Sequence, residues 1–256
     1  MEEEKNKTQF LVKAVDLCMD FKIHDKRYTS LKERVVNIFR IRKNKAKIFN
    51  VLNDINFEIK KGESLGVIGH NGAGKSTLLK IVAGIFKPTK GKIETNGSVV
   101  LLNLGAGFDM EANAEENIYL NGALLGFSHK QMKNRFDSII EFAELQNFVK
   151  TPLKNFSSGM ISRLGFAIAI DVKPDLLLID EVLSVGDSNF QKKCLTKINE
   201  LKQQGVSFMF VSHNIPMVKT LCENTLWIEN SKVMAYGKSS EVCEKYVSYC
   251  NELSKK

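Results

Sequence analysis

The chain has 256 residues and a formal net charge of +8, with 43% apolar and 26% charged residues. These are ordinary values for a globular protein that is long enough to bury a sizeable core. No run of eighteen apolar residues occurs, which excludes a hydrophobic membrane span, and the acidic start MEEEKNKTQF argues against a secretory or mitochondrial leader.

The positive charge is concentrated in one segment, which we call the basic insert (residues 22–47). It contains ten lysines and arginines and two acidic residues, Asp25 and Glu33, so it alone carries +8. Because the rest of the chain is then neutral overall, we expect no nucleic acid partner. The basic residues are Lys22, Lys26, Arg27, Lys32, Arg34, Arg40, Arg42, Lys43, Lys45 and Lys47.

The five cysteines are scattered along the chain and show no CxxC spacing. An odd, dispersed set is typical of proteins from a reducing compartment. We therefore expect small apolar side chains rather than disulfide partners or zinc ligands. They are Cys18, Cys194, Cys222, Cys243 and Cys250.

The first hundred residues predict mainly strands. One strand is predicted over residues 8–21, and four apolar residues at helical spacing predict a short amphipathic helix at 31–39 within the basic insert. Two more strands are predicted at 51–63 and 64–69. A helix is predicted over residues 74–85, and Pro88 lies beyond its end. Residues 91–105 are interpreted as a hairpin that turns at Asn96-Gly97.

The remaining chain alternates between helical and strand patterns. Residues 113–154 have a period near 3.6 in two segments, 114–127 and 131–149. The short apolar runs at 175–180 and 206–214 suit strands of a parallel sheet covered on both faces. A late antiparallel hairpin is predicted at 224–237 and a closing helix at 239–253. This order predicts an α/β layered domain with a helical insertion.

A phosphate-binding loop is predicted where GHNGAGKST matches the pattern G-x-x-x-x-G-K-[ST]. Glycines let successive backbone N–H groups point at phosphate oxygens, and the following helix adds its positive end. Lys75 would reach the β- and γ-phosphates, and the Ser76 hydroxyl would bind Mg²⁺. The predicted nucleotide contacts are Gly69, Asn71, Gly72, Ala73, Gly74, Lys75, Ser76 and Thr77.

Three further polar residues follow predicted strands. Asp180 ends the apolar run LLLID, where it would hold Mg²⁺ directly or through water, and Glu181 would act as general base or orient the attacking water. His213 follows the run SFMFVS, close to the same expected sheet edge, where it would touch the γ-phosphate. Surface positions at strand ends are the alternative for all three.

The stretch NFSSGM, residues 155–160, leads into the helical pattern ISRLGFAIAI. Serine is a good N-cap, so the turn would cap its own helix. The alternative is that it completes a phosphate site in a second molecule. The same serines would be able to do both.

Together these motifs resemble the ATP-binding cassette family over nearly the whole chain, from Leu11 to about Tyr246. In that family the Walker A loop corresponds to 69–77, Walker B to 176–180, the D-loop to 184–187 and the switch histidine to His213. FSSGM takes the place of the LSGGQ signature. The resemblance implies a homodimer in which Ser157, Ser158 and Gly159 contact ATP held by the other chain, with ATP and Mg²⁺ bound.

The chain departs from the family pattern in several places. Phe156, Ser158 and Met160 replace the usual Leu, Gly and Gln of the signature. The Q-loop glutamine is missing, and Asn103 is the nearest polar substitute, predicted to face Mg²⁺. For adenine stacking the family uses an aromatic residue just after the first strand. Phe21 fits this position best and Tyr28 second, and the alternative for Phe21 is an ordinary core aromatic.

The stretches LNLGAGF, SSGM followed by RLGFA, DEVLSVGD and FQKKC look like one branch of the family, the ATP-binding subunits of ABC-2-type exporters of polysaccharide, O-antigen and teichoic acid. The basic insert is also similar to that branch. The resemblance implies a P-loop NTPase cassette: a RecA-like mixed sheet, an antiparallel β subdomain and a helical subdomain at about 108–172. We expect one domain over residues 1–256, without the C-terminal carbohydrate-binding domain of some members.

The resemblance implies an ATPase subunit on the cytoplasmic face of the membrane, acting with a separate permease that moves a lipid-linked glycan. The basic insert would face anionic headgroups or a pyrophosphate-linked lipid, or remain a solvated loop. Two alternatives stay open: an exporter of a drug, lipid or peptide, and a soluble cassette ATPase of translation or repair. The latter usually carries two cassettes, whereas this chain has one set of motifs.

Overall fold

The structure is a computed structural model that describes residues 10–23, 47–102, 107–180 and 187–253. The predicted helix at 31–39 and the predicted site residues Tyr28, Asn103 and Glu181 lie outside these ranges, as does most of the basic insert. Within them, no helix is both long and apolar enough to cross a bilayer.

Strands and helices occur largely where the sequence predicts them. The strands are β1 (Phe10–Ile23), β2 (Lys47–Lys60), β3 (Ser64–Ile68), β4 (Lys90–Thr95), β5 (Val99–Leu102), β6 (Leu176–Ile179), β7 (Ser207–Val211), β8 (Asn224–Glu229) and β9 (Lys232–Lys238). The α-helices are α1 (Lys75–Val82), α2 (Ala114–Leu124), α3 (His129–Lys133), α4 (Phe136–Ala143), α5 (Ser158–Asp171), α6 (Ser188–Gln203), α7 (Ile215–Leu221) and α8 (Ser239–Leu253).

The central sheet has the strand order β5-β6-β7-β3-β8-β9. The first five strands run parallel, and β9 pairs antiparallel with β8, so the predicted mixed sheet and late hairpin are confirmed. Side chains of β6 alternate between two buried clusters, with Leu176 and Leu178 on one face and Leu177 and Ile179 on the other. Because both faces are covered, β3, β6 and β7 are wholly apolar or small.

A second, antiparallel sheet has the order β2-β1-β4. The predicted hairpin at residues 91–105 is therefore wrong, since β4 pairs with β1 while β5 pairs with β6 in the central sheet. At the turn, the Asp175 carboxylate accepts hydrogen bonds from the backbone N and the Oγ of Ser98, both at 2.8 Å. This anchor directs the chain after Gly97 into the other sheet.

Helices α2 to α5 surround a buried cluster of their own, which includes Ile118, Ile139 and Leu164. The helical pattern predicted over 131–149 is divided into α3, α4 and a short 3-10 turn. The break between α3 and α4 lies at Arg135, whose guanidinium is 2.8 Å from the Asp171 carboxylate at the end of α5. Tertiary contact thus interrupts a continuous helical period.

All five cysteines are free thiols. Cys194, Cys222 and Cys243 are buried, as expected for small apolar side chains. Burial raises the pKa of the Cys194 and Cys222 thiols to about 12, because a thiolate is poorly solvated there. These two thiols are therefore expected to be inert.

Candidate nucleotide-binding site

The phosphate loop joins β3 to α1, as predicted. Gly69 has a φ of 147°, and an added Cβ there would lie 2.0 Å from the carbonyl oxygen of Ile228. Gly74 is the N-cap of α1 with a φ of 102°, and its added Cβ would lie 2.7 Å from Leu52 Cδ2. Both positions therefore require glycine. Because Gly74 has no side chain, the N-cap of α1 accepts no side-chain hydrogen bond from the backbone N–H groups of the first turn.

Lys75 is held inside this loop. Its side chain is buried, and Nζ donates hydrogen bonds to the carbonyl oxygens of Gly69 at 2.8 Å and His70 at 3.0 Å. The loop borders a cavity of about 330 Å³. The lining residues are Phe49, Val51, Asn71, Gly72, Gly74, Lys75, Ser76 and Thr77. The ammonium group is thus placed beside a cavity lined by most of the residues predicted to contact nucleotide.

Among the described residues, the aromatic ring that lines this cavity is that of Phe49, whereas Phe21 was predicted. The two residues are cross-strand partners in β1 and β2. Phe21 is partly buried, and its ring is 5.8 Å from the Phe86 ring in an edge-to-face contact. Phe49 is 54% exposed and lines the cavity. Sequence reasoning missed Phe49, which lies in β2 two residues before the strand predicted at 51–63.

The sheet topology brings the other predicted residues to the same edge as the loop. Asp180 directly follows β6 and is half-buried, and His213 follows β7 by two residues and is exposed. Since β6, β7 and β3 are adjacent and parallel, their carboxyl ends all meet beside the phosphate loop. Asn103 and Glu181 lie outside the described residues.

The signature segment lies at the start of α5. Ser157 is its N-cap, and its Oγ accepts a hydrogen bond from the backbone N of Met160 at 3.2 Å. Ser157 and Ser158 remain exposed, whereas Phe156 is buried in the helical cluster. The capping role is therefore confirmed, and both serines still face outward.

Asp187, the last residue of the predicted D-loop, is the N-cap of α6. Its Oδ1 accepts hydrogen bonds from the backbone N of Phe190 and of Asn189, each at 2.9 Å. These two bonds hold the pKa of the Asp187 carboxyl below its usual range, because they favour the charged form.

An ionic contact that sequence reasoning missed joins α5 to α6. Glu144, at the C-cap of α4, lies 3.2 Å from Arg163 of α5 and 2.9 Å from Lys193 of α6. It adopts a left-handed conformation with a φ of 60°. The helix that starts at the signature is thereby tied to the helix that follows the D-loop.

A glycine-rich loop between a buried strand and a helix, with a buried lysine and an aspartate that follows another strand of the same sheet, defines a P-loop nucleotide-binding protein. The family model described as "ABC transporter" matches residues 52–184. The chain is 47% identical over 203 residues to the O-antigen export system ATP-binding protein RfbB of Klebsiella pneumoniae, covering 79% of this chain and 82% of that one. This chain belongs to the ABC transporter family, as an ATP-binding domain.

Another relative is the teichoic acids export ATP-binding protein TagH of Listeria innocua, 40% identical over 89% of this chain and 68% of the relative. The predicted exporter branch is thus confirmed. Among solved structures, an ATP-binding subunit of an ABC transporter superposes with a TM-score of 0.74 at 23% identity, over 92% of this chain and 93% of that one. A dimeric cassette bound to ADP and Pi gives 0.72 at 20% identity, over 89% and 98%. The predicted fold class is confirmed.

Proposed function

We propose that this chain is the ATP-hydrolysing subunit of an exporter that moves a lipid-linked polysaccharide, such as an O-antigen, capsule or teichoic-acid-like glycan. The observation that carries ATP hydrolysis is the buried Lys75 in its glycine loop beside the cavity. The glycan is supported by the names of the relatives, which are export subunits for O-antigen and teichoic acids. The partner is a separate permease, with this chain peripheral to the cytoplasmic face of the membrane.

The backbone amides of residues 69–77 hold the phosphates, and Lys75 neutralises the β- and γ-phosphate oxygens. The Ser76 hydroxyl and the Asp180 carboxylate are hard oxygen donors of the kind Mg²⁺ prefers, so they fit a magnesium site. When bound, Mg²⁺ neutralises charge that develops on the phosphate oxygens. Glu181 orients the attacking water or takes its proton, and His213 contacts the γ-phosphate.

Phe49 stacks on the adenine in this proposal, because it is exposed and lines the cavity whereas Phe21 packs on Phe86. In a comparison of two variants, Phe49→Ala is expected to weaken ATP binding by about 1–2 kcal/mol, an ordinary value for a base stacked on an aromatic side chain, with little loss of stability. Phe21→Ala is expected to lower stability instead. If instead Phe21→Ala weakens ATP binding and Phe49→Ala lowers stability, Phe21 is the residue that stacks on the adenine.

The active unit is a head-to-tail homodimer in which each signature closes over ATP bound to the other chain. The exposed Ser157 and Ser158 at the start of α5 support this arrangement, and the similar cassette bound to ADP and Pi is dimeric. Ser157, Ser158 and Gly159 supply N–H and hydroxyl groups to the γ-phosphate across the interface. Closure of the pair would drive the permease.

The basic insert faces the anionic surface of the membrane in this proposal, or the pyrophosphate of the carried lipid. Each basic residue near such a surface is worth about 1 kcal/mol and loses its effect at high salt. Charge reversal at Arg40, Arg42 and Lys43 is expected to reduce binding to vesicles of anionic lipid. Binding that does not change across a salt series would leave the insert as a solvated loop.

Expression of Glu181→Gln in the native host tests the whole proposal. The variant is expected to bind ATP, remain closed as a dimer and block its exporter, so that a lipid-linked glycan accumulates on the cytoplasmic side. Unchanged envelope lipids beside a closed dimer would contradict the glycan and favour a drug, lipid or peptide substrate. A permease that co-purifies distinguishes either exporter from a soluble cassette ATPase.

A further inference from the structure

A chain of contacts connects the phosphate loop to the last helix. His70, the second residue of the loop, places Nδ1 2.6 Å from Oε2 of Glu229, and its backbone N lies 3.4 Å from the same oxygen. Glu229 is the last residue of β8 and is only 8% exposed. A buried carboxylate needs such a partner, so this pair ties the loop to the end of β8.

Helix α8 covers the other side of the imidazole. The rings of Tyr246 and Tyr249 lie 5.8 and 6.1 Å from the His70 ring, both in edge-to-face geometry. Sγ of Cys250 lies 3.9 Å from Nε2 of His70. The two tyrosines also pack on Trp227, at 5.4 and 5.1 Å between ring centroids. One aromatic cluster therefore contacts both the loop histidine and β8.

The same loop segment holds the lysine that is proposed to bind phosphate. The carbonyl oxygens of Gly69 and His70 accept the two hydrogen bonds from Lys75. Gly69 itself lies so close to the Ile228 carbonyl that a Cβ would not fit. The contacts of β8 and α8 thus determine where these two carbonyls lie, and with them the resting position of the ammonium group.

We propose that Glu229 and the α8 rings position His70, and that they couple nucleotide occupancy of the phosphate loop to helix α8. This inference rests on the proposed nucleotide binding at residues 69–77. Glu229 and His70 are positioning residues, which act on ATP through the loop backbone. Because coupling between two sites is reciprocal, nucleotide must change the surroundings of α8, and loosening the α8 contacts must change nucleotide affinity.

Trp227 is the sole tryptophan of the chain and sits within this cluster. Its fluorescence therefore reports the state of α8 without any added label. The proposal expects a change in the Trp227 spectrum when ATP binds to the full-length protein. His70→Ala is expected to reduce that change several-fold at saturating ATP, because it removes the side chain that connects loop and cluster.

The test measures ATP binding to the full-length protein by equilibrium dialysis with labelled ATP, in parallel with Trp227 fluorescence. Glu229→Gln keeps the size of the side chain and removes its charge. We expect binding to weaken about tenfold, within the usual range of coupling between sites. The KM for ATP should rise by a similar factor while kcat stays within about twofold. Glu252→Gln, which changes an exposed carboxylate near the end of α8, is the matched control and should change neither quantity.

The pair can also be tested by combination. If His70 and Glu229 act together, His70→Ala with Glu229→Gln weakens ATP binding no more than the worse single variant, whereas independent effects would multiply. His70→Ala alone removes the imidazole partner of a buried carboxylate, so adding Glu229→Gln should recover part of the lost melting temperature. If Glu229→Gln does not fold, the test uses His70→Ala alone. This variant is expected to fold because the His70 side chain is 43% exposed.

The outcomes separate the two proposals. No ATP binding by the wild-type protein would overturn the proposed function. Two results would overturn the coupling and leave nucleotide binding intact. In the first, the wild-type protein binds ATP but its Trp227 spectrum does not change. In the second, both variants bind ATP with the affinity of the wild type. Multiplicative losses in the double variant would also contradict the pairing.

Discussion

The phosphate loop and the signature segment each place a glycine where a helix begins, but the fold requires glycine only in the first. At Gly69 an added Cβ would lie 2.0 Å from a backbone carbonyl oxygen, and φ is 147°. At Gly159 the nearest atom to an added Cβ is Ser157 Oγ at 3.8 Å, an ordinary contact. Within the described residues, no neighbour requires glycine at position 159, and this agrees with the proposal that Gly159 contacts nucleotide held by a second chain.

The two helix starts differ in their free amides as well. Helix α1 has a glycine N-cap and therefore no side-chain cap, whereas α5 is capped by Ser157, whose Oγ accepts a hydrogen bond from the N–H of Met160. The phosphate loop is also connected to β8 and α8 through His70 and Glu229. The first turn is thus held by contacts within the chain, whereas the second is exposed, and its role as a site against a second chain remains our proposal.

The largest expected difference is between alanine substitutions at Gly69 and at Gly159. Gly69→Ala should lower the free energy of unfolding by about 3 kcal/mol or prevent folding, since it adds both backbone strain and overpacking. Gly159→Ala should leave stability unchanged or raise it by up to about 1 kcal/mol, because alanine favours a helix. Urea unfolding measures both. If Gly159→Ala is also fully active as an ATPase, the partner does not require glycine there.

Lys75→Met should reduce ATP hydrolysis by about 100-fold, the usual cost of losing one charged or donor group at a developing charge. The control is Lys80→Met, since Lys80 is exposed on the same helix. Steady-state hydrolysis by purified dimer is the measurement. Equal losses in both variants would indicate damage to α1 rather than loss of a phosphate contact.

Alanine substitutions at the two serines of the signature should distinguish helix capping from a role in ATP hydrolysis. Ser157→Ala removes an N-cap and should cost about 1 kcal/mol of stability. Ser158→Ala should change stability by less than about 0.5 kcal/mol, since Ser158 is exposed. Both should lower ATPase activity if the serines reach the nucleotide of the other chain. Activity that falls only with Ser157→Ala would assign the turn to capping alone.

The smallest expected effect is the pH dependence of Asp187. Its pKa is lowered in the folded state, so its contribution to stability is present above about pH 4, where an unfolded aspartate is ionised. That contribution is lost as the pH falls through the lowered pKa. Asp187→Asn still caps α6 but carries no charge. Its melting temperature should lie below wild type at pH 7 and converge with it at acidic pH, whereas a constant gap would contradict the pKa shift.

Features set by neighbouring residues could be predicted from the sequence. The phosphate loop, the cap at Ser157 and the β8–β9 hairpin each depend on a few consecutive residues, so local chemistry decides them. The parallel core strands were also predicted, because burial on both faces leaves a continuous apolar run. From that order alone, Asp180 and His213 were expected at the edge that carries the loop, which the topology bears out.

Tertiary structure decided what depends on distant partners. The turn at Asn96-Gly97 looks like a hairpin, yet β4 pairs with β1 and β5 with β6, because pairing energy comes from strands far away in the chain. The choice of Phe49 over Phe21 as cavity lining follows from how β1 and β2 lie over the loop. The His70–Glu229 contact joins residues 159 positions apart, and no local pattern encodes such a contact.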